Sequence, residues 1–167
     1  MCTALLDATL STLGYAKVLS IGNKATLADA DFLEYFLQDT ETKVIGMYTE
    51  SLVEAPRLIA LGHQALLQTP PKPIIVLKSG KTASGANASS SHTGAIAGSA
   101  EAYTTLFSQA GMIEASSQEE LVNFLNIFSH NPLPEKNSVA IVTNAGGLGV
   151  LATDTAEKQG LHLATLS

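Results

Sequence analysis

Cysteine is nearly absent from this chain of 167 residues, which contains only Cys2. A single cysteine excludes a disulfide framework and any zinc site built from several cysteines. Positive charge is also scarce, since 9 Lys and Arg residues stand against 15 Asp and Glu residues and give a net charge of −6. This acidic balance argues against binding to nucleic acid through a basic surface.

Long apolar runs are missing as well. No uninterrupted apolar stretch approaches the roughly 20 residues that a membrane-spanning helix needs. The first ten residues, MCTALLDATL, lack a basic segment and already contain Asp7, which is unlike a secretory signal peptide. We therefore expect a cytoplasmic protein that does not contact a membrane. A composition of 46% hydrophobic and 14% charged residues excludes intrinsic disorder and allows a sizeable core.

Strand-like and helix-like segments alternate along the chain. The apolar run Ile74–Leu77 has no polar residues between its members, which is typical of a parallel strand covered by helices on both faces. The alternation predicts right-handed crossovers and a doubly wound parallel sheet, an α/β fold. The predicted strands are 18–21, 44–48, 74–77, 112–115, 139–143 and 161–166, and the predicted helices are 4–13, 29–37 (capped by Asp29 or Asp31), 56–66, 99–110 (capped by Ser99 and ended by Gly111), 119–129 (capped by Ser117) and 146–159.

Both ends of this pattern are incomplete for an α/β domain. The first predicted element is a helix with no strand before it, and the last is a strand that follows a single βαβ unit. Prolines and polar residues over 131–137 indicate a linker. We therefore expect an internal piece of a longer chain, with one domain over 1–130 that lacks its first strand and the start of a second domain over 138–167.

A segment rich in Gly, Ala and Ser runs from Ser79 to Ser99, and loops of this length are either functional or disordered. His92 lies within it, with no large side chain in the three residues on either side. A neutral imidazole is a nucleophile, and successive backbone N–H groups before a helix at Ser99 favour a bound anion. These features suit a histidine that accepts a phosphoryl group. The alternative is a surface histidine in a Ser/Gly-rich loop.

Glu50 follows a predicted strand and should therefore lie at the carboxyl edge of the sheet, where α/β proteins bind their ligands. A carboxylate there could accept a hydrogen bond from the imidazole N–H of His92 and fix its tautomer. The alternative is an ordinary exposed glutamate. The other histidines are predicted on a helix (His63), in the linker (His130) and at a strand start (His162). Because no pair of histidines has metal-ligand spacing, we expect no metal site.

Three stretches together resemble a known family: SIGNKATLADADFLEYFLQDTETKVIGMYTE, PIIVLKSGKTASGANASSSHTGAIAGS and VAIVTNAGGLGVLATDTAEKQGL. They are similar to NDP-forming acyl-CoA synthetases, the ADP-forming acetate–CoA ligase branch of the succinyl-CoA synthetase superfamily. The resemblance implies a flavodoxin-like domain in which His92 takes a phosphoryl group from acyl phosphate and passes it to ADP on an ATP-grasp domain. It also implies that Glu50 holds this histidine and that Ser91, Thr93 and Gly94 bind phosphate.

The NAGGLG stretch resembles the start of the family's second flavodoxin-like domain, so that Gly146, Gly147 and Gly149 would supply N–H groups to the phosphohistidine. Family members usually have proline where this chain has Leu148. The CoA-binding domain and the ATP-grasp domain would lie outside this chain, on the same longer chain or on a separate subunit. This chain alone is therefore expected to bind neither CoA, ATP, ADP nor Mg²⁺, to have no ligase turnover, and to act within an oligomer.

Two other functions are compatible with the same resemblance. Related chains serve as ligand-sensing modules of protein lysine acetyltransferases, and the fragment could instead be an inactive gene remnant. The presence of His92 favours the enzyme over the sensing module, since such modules tend to lose that histidine.

Overall fold

A computed structural model describes residues 7, 9, 13–22, 24, 26–82, 84–85 and 99–165. The chain divides into two compact units, 1–131 and 132–167. The first unit contains α1 (Asp29–Gln38), β1 (Ile45–Thr49), α2 (Ala55–Leu67), β2 (Ile74–Lys78), α3 (Ala100–Ala110), β3 (Ile113–Ala115) and α4 (Gln118–His130), and the second contains β4 (Ser138–Val139), α5 (Gly146–Lys158) and β5 (His162–Leu163).

The sheet of the first unit is parallel, with the strand order β1-β2-β3. Its register pairs Ile45 with Ile74 at one end of β1 and Thr49 with Lys78 at the other. All five residues of β2 are buried. The prediction from the continuous apolar run is therefore confirmed, because β2 has a strand on each side and helices over both faces.

Alternate residues of β2 point into two different cores. On one face, Ile74 and Val76 pack in a cluster with residues of α1, α2 and α3, among them Leu33, Leu58 and Phe107. On the other face, Ile75 and Leu77 pack in a cluster with residues of β3 and α4, among them Ala115, Leu121 and Phe124. The unit is thus an α/β fold with a doubly wound, flavodoxin-like sheet, as the sequence predicted.

Helix ends follow the predicted pattern at three positions. The hydroxyl of Ser99 accepts from Ala102 N at the start of α3, and that of Ser117 accepts from Glu120 N at the start of α4. Gly111 ends α3. Side-chain oxygens of this kind bind backbone N–H groups that the helix itself leaves without an acceptor.

The start of α1 differs from the prediction, because the residue at the cap position is Ala28 rather than Asp29 or Asp31. Asp31 lies in the first turn, and its carboxylate accepts a hydrogen bond from the backbone N–H of Ala28 at 2.8 Å. Asp29 is buried at the first position of the helix. Both aspartates therefore act from inside the helix.

Helices α2 and α3 approach each other closely at Gly62. A Cβ atom built on Gly62 would lie 2.1 Å from the backbone oxygen of Ala110. No side chain fits in that space, so glycine is required for this helix contact.

The predicted strand at 18–21 is wrong, since this stretch forms neither strand nor helix. Val18, Leu19 and Ile21 are exposed. Within the described part of the chain, β1 pairs only with β2, so the 18–21 stretch has no neighbouring strand to supply its backbone hydrogen bonds. Apolar propensity alone does not make a strand without such a partner.

Of the predicted helix at 4–13, the structure describes only Asp7 and Thr9, which are helical, and Leu13, which is not. The rest of that prediction lies outside the described residues. Across the described ranges, no helix is long and apolar enough to cross a membrane.

The second unit contains shorter strands than predicted. Strands β4 and β5 pair in parallel over two residues each, where 139–143 and 161–166 were expected. Since β5 stops at Leu163, residues 140–143 have no strand beside them among the described residues of this unit, and Val142 is 97% exposed. Helix α5 matches its predicted range closely.

Candidate functional site

The carboxyl ends of β1 and β2 meet at one edge of the sheet. Thr49 and Lys78 are register partners, and the N–H of Ser79 donates to the carbonyl of Thr49 at 3.0 Å. Glu50 comes directly after β1, so it lies at the edge where β2 leads into the segment from Ser79 to Ser99. This position agrees with the one expected from the strand pattern.

Lys24 ties the turn around Glu50 to α1. Its ammonium donates to Asp29 Oδ2 at 2.7 Å, to the carbonyl of Ser51 at 2.7 Å and to the hydroxyl of Thr49 at 3.2 Å. That hydroxyl also donates to the carbonyl of Ser51 at 2.8 Å. The residues on both sides of Glu50 are thus held by one partly buried network, which fixes the backbone that carries its carboxylate.

Lys78 is the last residue of the central strand, and it is only 3% exposed. Its ammonium donates to the carbonyl of Ser79 and lies 4.5 Å from the centre of the Tyr103 ring. Burial lowers the pKa of this lysine, and the positive charge of Lys81 lowers it further, whereas the carboxylate of Glu50 acts in the opposite direction. The edge therefore holds a buried cation next to the residue proposed from sequence as an orienting carboxylate.

Lys81 connects the start of the Ser79–Ser99 segment to β3. Its ammonium lies 2.7 Å from Glu114 Oε1, an ion-pair distance, although the two groups are not oriented as a hydrogen bond. The other oxygen of Glu114 accepts from the hydroxyl of Thr104 at 3.0 Å. The ion pair thus holds Lys81 beside β3, and the hydroxyl of Thr104 joins the same carboxylate to α3.

The structure does not describe the residues proposed to carry and bind the phosphoryl group. They are Ser91, His92, Thr93 and Gly94, and their roles stay predictions. Ser99, which follows them, caps α3. Since helices of a parallel α/β sheet begin near the carboxyl ends of its strands, the first turn of α3 is suited to an anion at this edge.

In the second unit, the glycines of NAGGLG open α5. The expectation for Gly149 is not supported, because its N–H donates to the carbonyl of Ala145 at 3.0 Å within the helix. Its lack of a side chain has another reason, since a Cβ there would lie 3.1 Å from Thr143 Cγ2. The first-turn N–H groups are those of Gly146, Gly147 and Leu148, which have no acceptor within a helix.

The remaining histidines are not part of this edge. His63 is exposed on α2, with Nε2 2.7 Å from the carbonyl of Gln109. His130 is the last residue of α4 rather than part of the linker, and His162 begins β5 as predicted. Among the described residues, no three His, Cys, Asp or Glu side chains converge in a way that could hold a metal ion.

Lys24 was expected at this edge of the sheet, but sequence reasoning missed the contacts of both lysines and the burial of Lys78. The one local signal for Lys78 was its position, since it directly continues the four apolar residues of a fully buried strand. The role of Lys24 had no local signal, since its partners come from α1 and from the turn after β1.

A family model described as a succinyl-CoA ligase like flavodoxin domain matches residues 1–128. The chain is 43% identical over 162 residues to an ADP-forming acetate–CoA ligase of Methanocaldococcus jannaschii, an alignment that covers 96% of this chain and 22% of that protein. It is 41% identical over 154 residues to the alpha subunit of ADP-forming acetate–CoA ligase I of Pyrococcus furiosus, covering 92% of this chain and 33% of the subunit.

The chain is also similar to a solved structure. A dinucleotide-forming acetyl-coenzyme A synthetase 1 of Ca. Korarchaeum cryptofilum, determined in complex with phosphate and ADP, superposes with a TM-score of 0.86 at 38% identity, over 98% of this chain and 35% of that one. The chain thus spans about a third or less of these relatives' lengths. From the sheet, the model match and the relatives together, the chain belongs to the succinyl-CoA ligase like flavodoxin domain family.

Proposed function

We propose that this chain is the phosphoryl-carrying region of an NDP-forming acyl-CoA synthetase. Such an enzyme is an acid–thiol ligase that interconverts acid, CoA and ATP with acyl-CoA, ADP and phosphate. Family membership supports this proposal, as do the relatives named as ADP-forming acetate–CoA ligases. Because the chain spans only part of those relatives, the activity is assigned to a larger assembly in which this chain contributes His92.

The proposed reaction consists of three reversible transfers. A phosphate oxygen attacks the thioester carbonyl of acyl-CoA, the C–S bond breaks, and the thiol leaves as acyl phosphate forms. A ring nitrogen of His92 then attacks phosphorus, and the P–O bond to the acyl group breaks to release the carboxylate. Finally an oxygen of ADP attacks the phosphoryl group, the N–P bond breaks, and ATP and neutral imidazole result. These steps depend mainly on positioning and charge stabilisation.

Glu50 is proposed as the residue that positions His92. Its carboxylate would accept the N–H of one ring nitrogen and leave the lone pair of the other available for phosphorus. The observation that carries the proposal is the position of Glu50, directly after β1 and beside the strand end that leads into the His92 segment. The hydrogen bonds of Lys24 to Asp29 and Ser51 support this role, because they fix the turn.

Phosphate binding is assigned to backbone N–H groups. Gly146 and Gly147 would donate from the first turn of α5, where the helix dipole stabilises an anion by roughly 0.3–1 kcal/mol. Ser91, Thr93 and Gly94 would donate from the residues around His92. Gly149 is left out of this set because its N–H is already bonded within α5.

The partners of this chain are proposed to be a CoA-binding domain and an ATP-grasp domain, and CoA, ATP or ADP, and Mg²⁺ would bind there. Two arrangements have precedents among the relatives, since the M. jannaschii protein is a much longer chain and the P. furiosus protein is an alpha subunit. Because its substrates would be ATP, CoA and a free acid, we place the enzyme in the cytoplasm.

Transfer of labelled phosphate tests the proposal directly. The complete assembly that contains this chain is mixed with Mg-ATP labelled at the γ-phosphate, and acid-labile, base-stable label is sought on this region. We expect label in the wild type and in His63→Ala, which removes an exposed histidine of α2, and none in His92→Ala.

The alternatives predict different results. Absence of label from a folded, complete assembly would reject the ligase function and favour a sensing module or an inactive remnant. Label that persists in His92→Ala but disappears in another histidine variant would reject His92 as the acceptor while keeping the phosphoryl-transfer function.

A further inference from the structure

One edge of the sheet in the first unit is open at β1. Among the described residues, β1 pairs with a strand on one side only, which is β2. The N–H of Ile45 and the carbonyl of Thr49, at the two ends of β1, bond to residues that flank β2. Because successive residues of a strand direct their backbone groups to opposite edges, those of Gly46 and Tyr48 face away from β2.

The exposure of Gly46 agrees with an open edge. Gly46 lies inside the strand and is nevertheless exposed. A Cβ built on it would lie 3.0 Å from the side chain of Leu125, so the face of the sheet toward α4 is filled at this point. The exposed surface is that of the backbone at the edge. Backbone N–H and C=O groups at such an edge are a template for a further strand.

Residues 18–21 run along this edge of β1. Just before them, Lys17 forms an ion pair at 2.7 Å with Asp39, in the loop that leads into β1. Three residues after them, Lys24 donates at 3.2 Å to the hydroxyl of Thr49, the last residue of β1. The stretch therefore passes from the start of β1 to its end, in the direction of β1. Its two ends are joined to the β1 region through lysine side chains and not through a backbone ladder.

Both borders of the space between β1 and residues 18–21, which we call the β1 slot, are apolar. On one border, Val18, Leu19 and Ile21 are exposed. On the other border, Ile45 belongs to one hydrophobic core and Tyr48 packs against the second. A strand in the β1 slot would continue both cores. Its residues should therefore be mainly apolar on both faces, as in a parallel strand inside a sheet.

We infer that the β1 slot holds a further parallel strand, supplied by an extended segment of the longer protein outside this chain. The segment should match the five residues of β1 in length. Its occupant needs two free backbone edges, because the slot has a border on each side. The edge strand of a second copy does not meet this requirement, since one of its edges is already bonded within its own sheet.

The relatives contain polypeptide that could serve as such a segment. This chain covers 22% of the M. jannaschii protein and 33% of the P. furiosus subunit. The inference does not depend on phosphorylation of His92, so it can fail while the proposed function stands.

Amide hydrogen exchange in the complete assembly tests the inference without any substitution. The outward amides of Gly46 and Tyr48 are compared with the inward amides of Ile45 and Met47, each corrected for its intrinsic exchange rate. We expect the outward pair to exchange within about tenfold of the inward pair, because a filled slot bonds both sets in one ladder. Outward amides that exchange more than about tenfold faster would show an open edge and overturn the inference.

A photo-crosslink identifies the occupant. Leu19 is replaced by benzoylphenylalanine in the complete assembly, which is irradiated, digested and analysed by mass spectrometry. We expect crosslinks to one apolar peptide from outside residues 1–167. Crosslinks to a peptide of this chain, which would mean that a second copy or another part of the chain fills the slot, would overturn the inference, as would the absence of crosslinks.

Leu67 is the control position for the crosslink. It is an apolar residue at the end of α2 and is more exposed than Leu19, but it does not border the β1 slot. Benzoylphenylalanine at Leu67 should not capture the peptide that Leu19 captures. Capture of the same peptide from both positions would contradict its placement in the slot.

Discussion

The ammonium of Lys24 bridges Asp29 and Ser51, donating to each at 2.7 Å. Asp29 belongs to the first turn of α1 and is only 5% exposed, whereas Ser51 follows the end of β1. One side chain thus joins a helix start to the turn that contains Glu50. The same three residues therefore contribute to both the stability of the unit and the geometry of the candidate site.

Lys24→Met should lower both the stability of the first unit and the rate at which His92 is labelled. It leaves the carboxylate of Asp29 buried without its cation, and we expect a loss of about 3 kcal/mol in the free energy of unfolding. It also releases the turn around Glu50, so labelling of His92 should become slower in the fraction that remains folded. Urea unfolding and the labelling rate measure the two effects.

Lys17→Met is the control for Lys24→Met. Lys17 pairs with Asp39 at 2.7 Å, but this pair is more exposed than that of Lys24 and Asp29, and neither residue touches the Glu50 turn. Lys17→Met should reduce stability less and leave the labelling rate unchanged. Equal effects of the two variants on labelling would contradict the positioning role of Lys24.

Glu50→Gln tests whether Glu50 orients His92. The amide is similar in shape to the carboxylate but lacks its charge, so the imidazole N–H is held less strongly and the attacking nitrogen is less basic. We expect slower labelling of His92 by at least about tenfold, in line with the usual contribution of a positioned acid–base group.

Glu54→Gln is the matched control for Glu50→Gln. Glu54 lies just before α2, and its carboxylate is 3.3 Å from Arg57. Its replacement should leave labelling at the wild-type rate. A Glu50→Gln protein labelled as fast as Glu54→Gln would remove Glu50 from the site.

Much of the first unit could be predicted from local patterns. The buried run of β2, the serine caps of α3 and α4, and the position of Glu50 all depend on residues that are neighbours in the sequence. A strand followed by a polar residue is enough to place that residue at the carboxyl edge of a parallel sheet.

The incorrect predictions concern features that depend on distant partners. The apolar stretch at 18–21 has β-forming residues but no strand beside it, and β4 stops where β5 stops. The bond of Gly149 within α5 depends on where the helix begins, and helix boundaries are among the least certain features of a sequence pattern. The hydrogen bonds of Lys24 could not be predicted because its acceptors lie on two other elements.

Gly62→Ala should destabilise the first unit. Alanine normally favours a helix over glycine, but here its Cβ would come within 2.1 Å of the backbone oxygen of Ala110 in α3. Separating the two helices should cost about 2–3 kcal/mol, which is typical of an overpacked core. Urea unfolding followed by circular dichroism measures the loss.

A double variant identifies the cause of that loss. Ala110→Gly removes the Ala110 side chain but keeps the backbone oxygen, so it should not restore the stability of Gly62→Ala. Restoration would mean that the side chain rather than the carbonyl limits the approach of α2 to α3.

The lowered pKa of Asp39 should make the free energy of unfolding depend on pH under acidic conditions. Hydrogen bonds from the ammonium of Lys17 and from the hydroxyl of Thr42 hold the pKa of Asp39 at about 2, below its ordinary value of 3.8. Because the folded state binds this proton less readily than the unfolded state, the stabilisation is complete at pH values above the ordinary pKa and is lost as the pH falls through about 2.

The free energy of unfolding of the wild type minus that of Asp39→Asn should therefore be constant above about pH 5 and shrink between about pH 4 and pH 2. Taking the difference cancels the other carboxylates, which titrate in both proteins. Repeating the comparison in a Lys17→Met background should leave a smaller pH-dependent part, because the hydroxyl of Thr42 and the backbone N–H of Glu41 then hold the carboxylate without the ammonium. A difference that stays constant down to pH 2 would show that these hydrogen bonds do not form in solution.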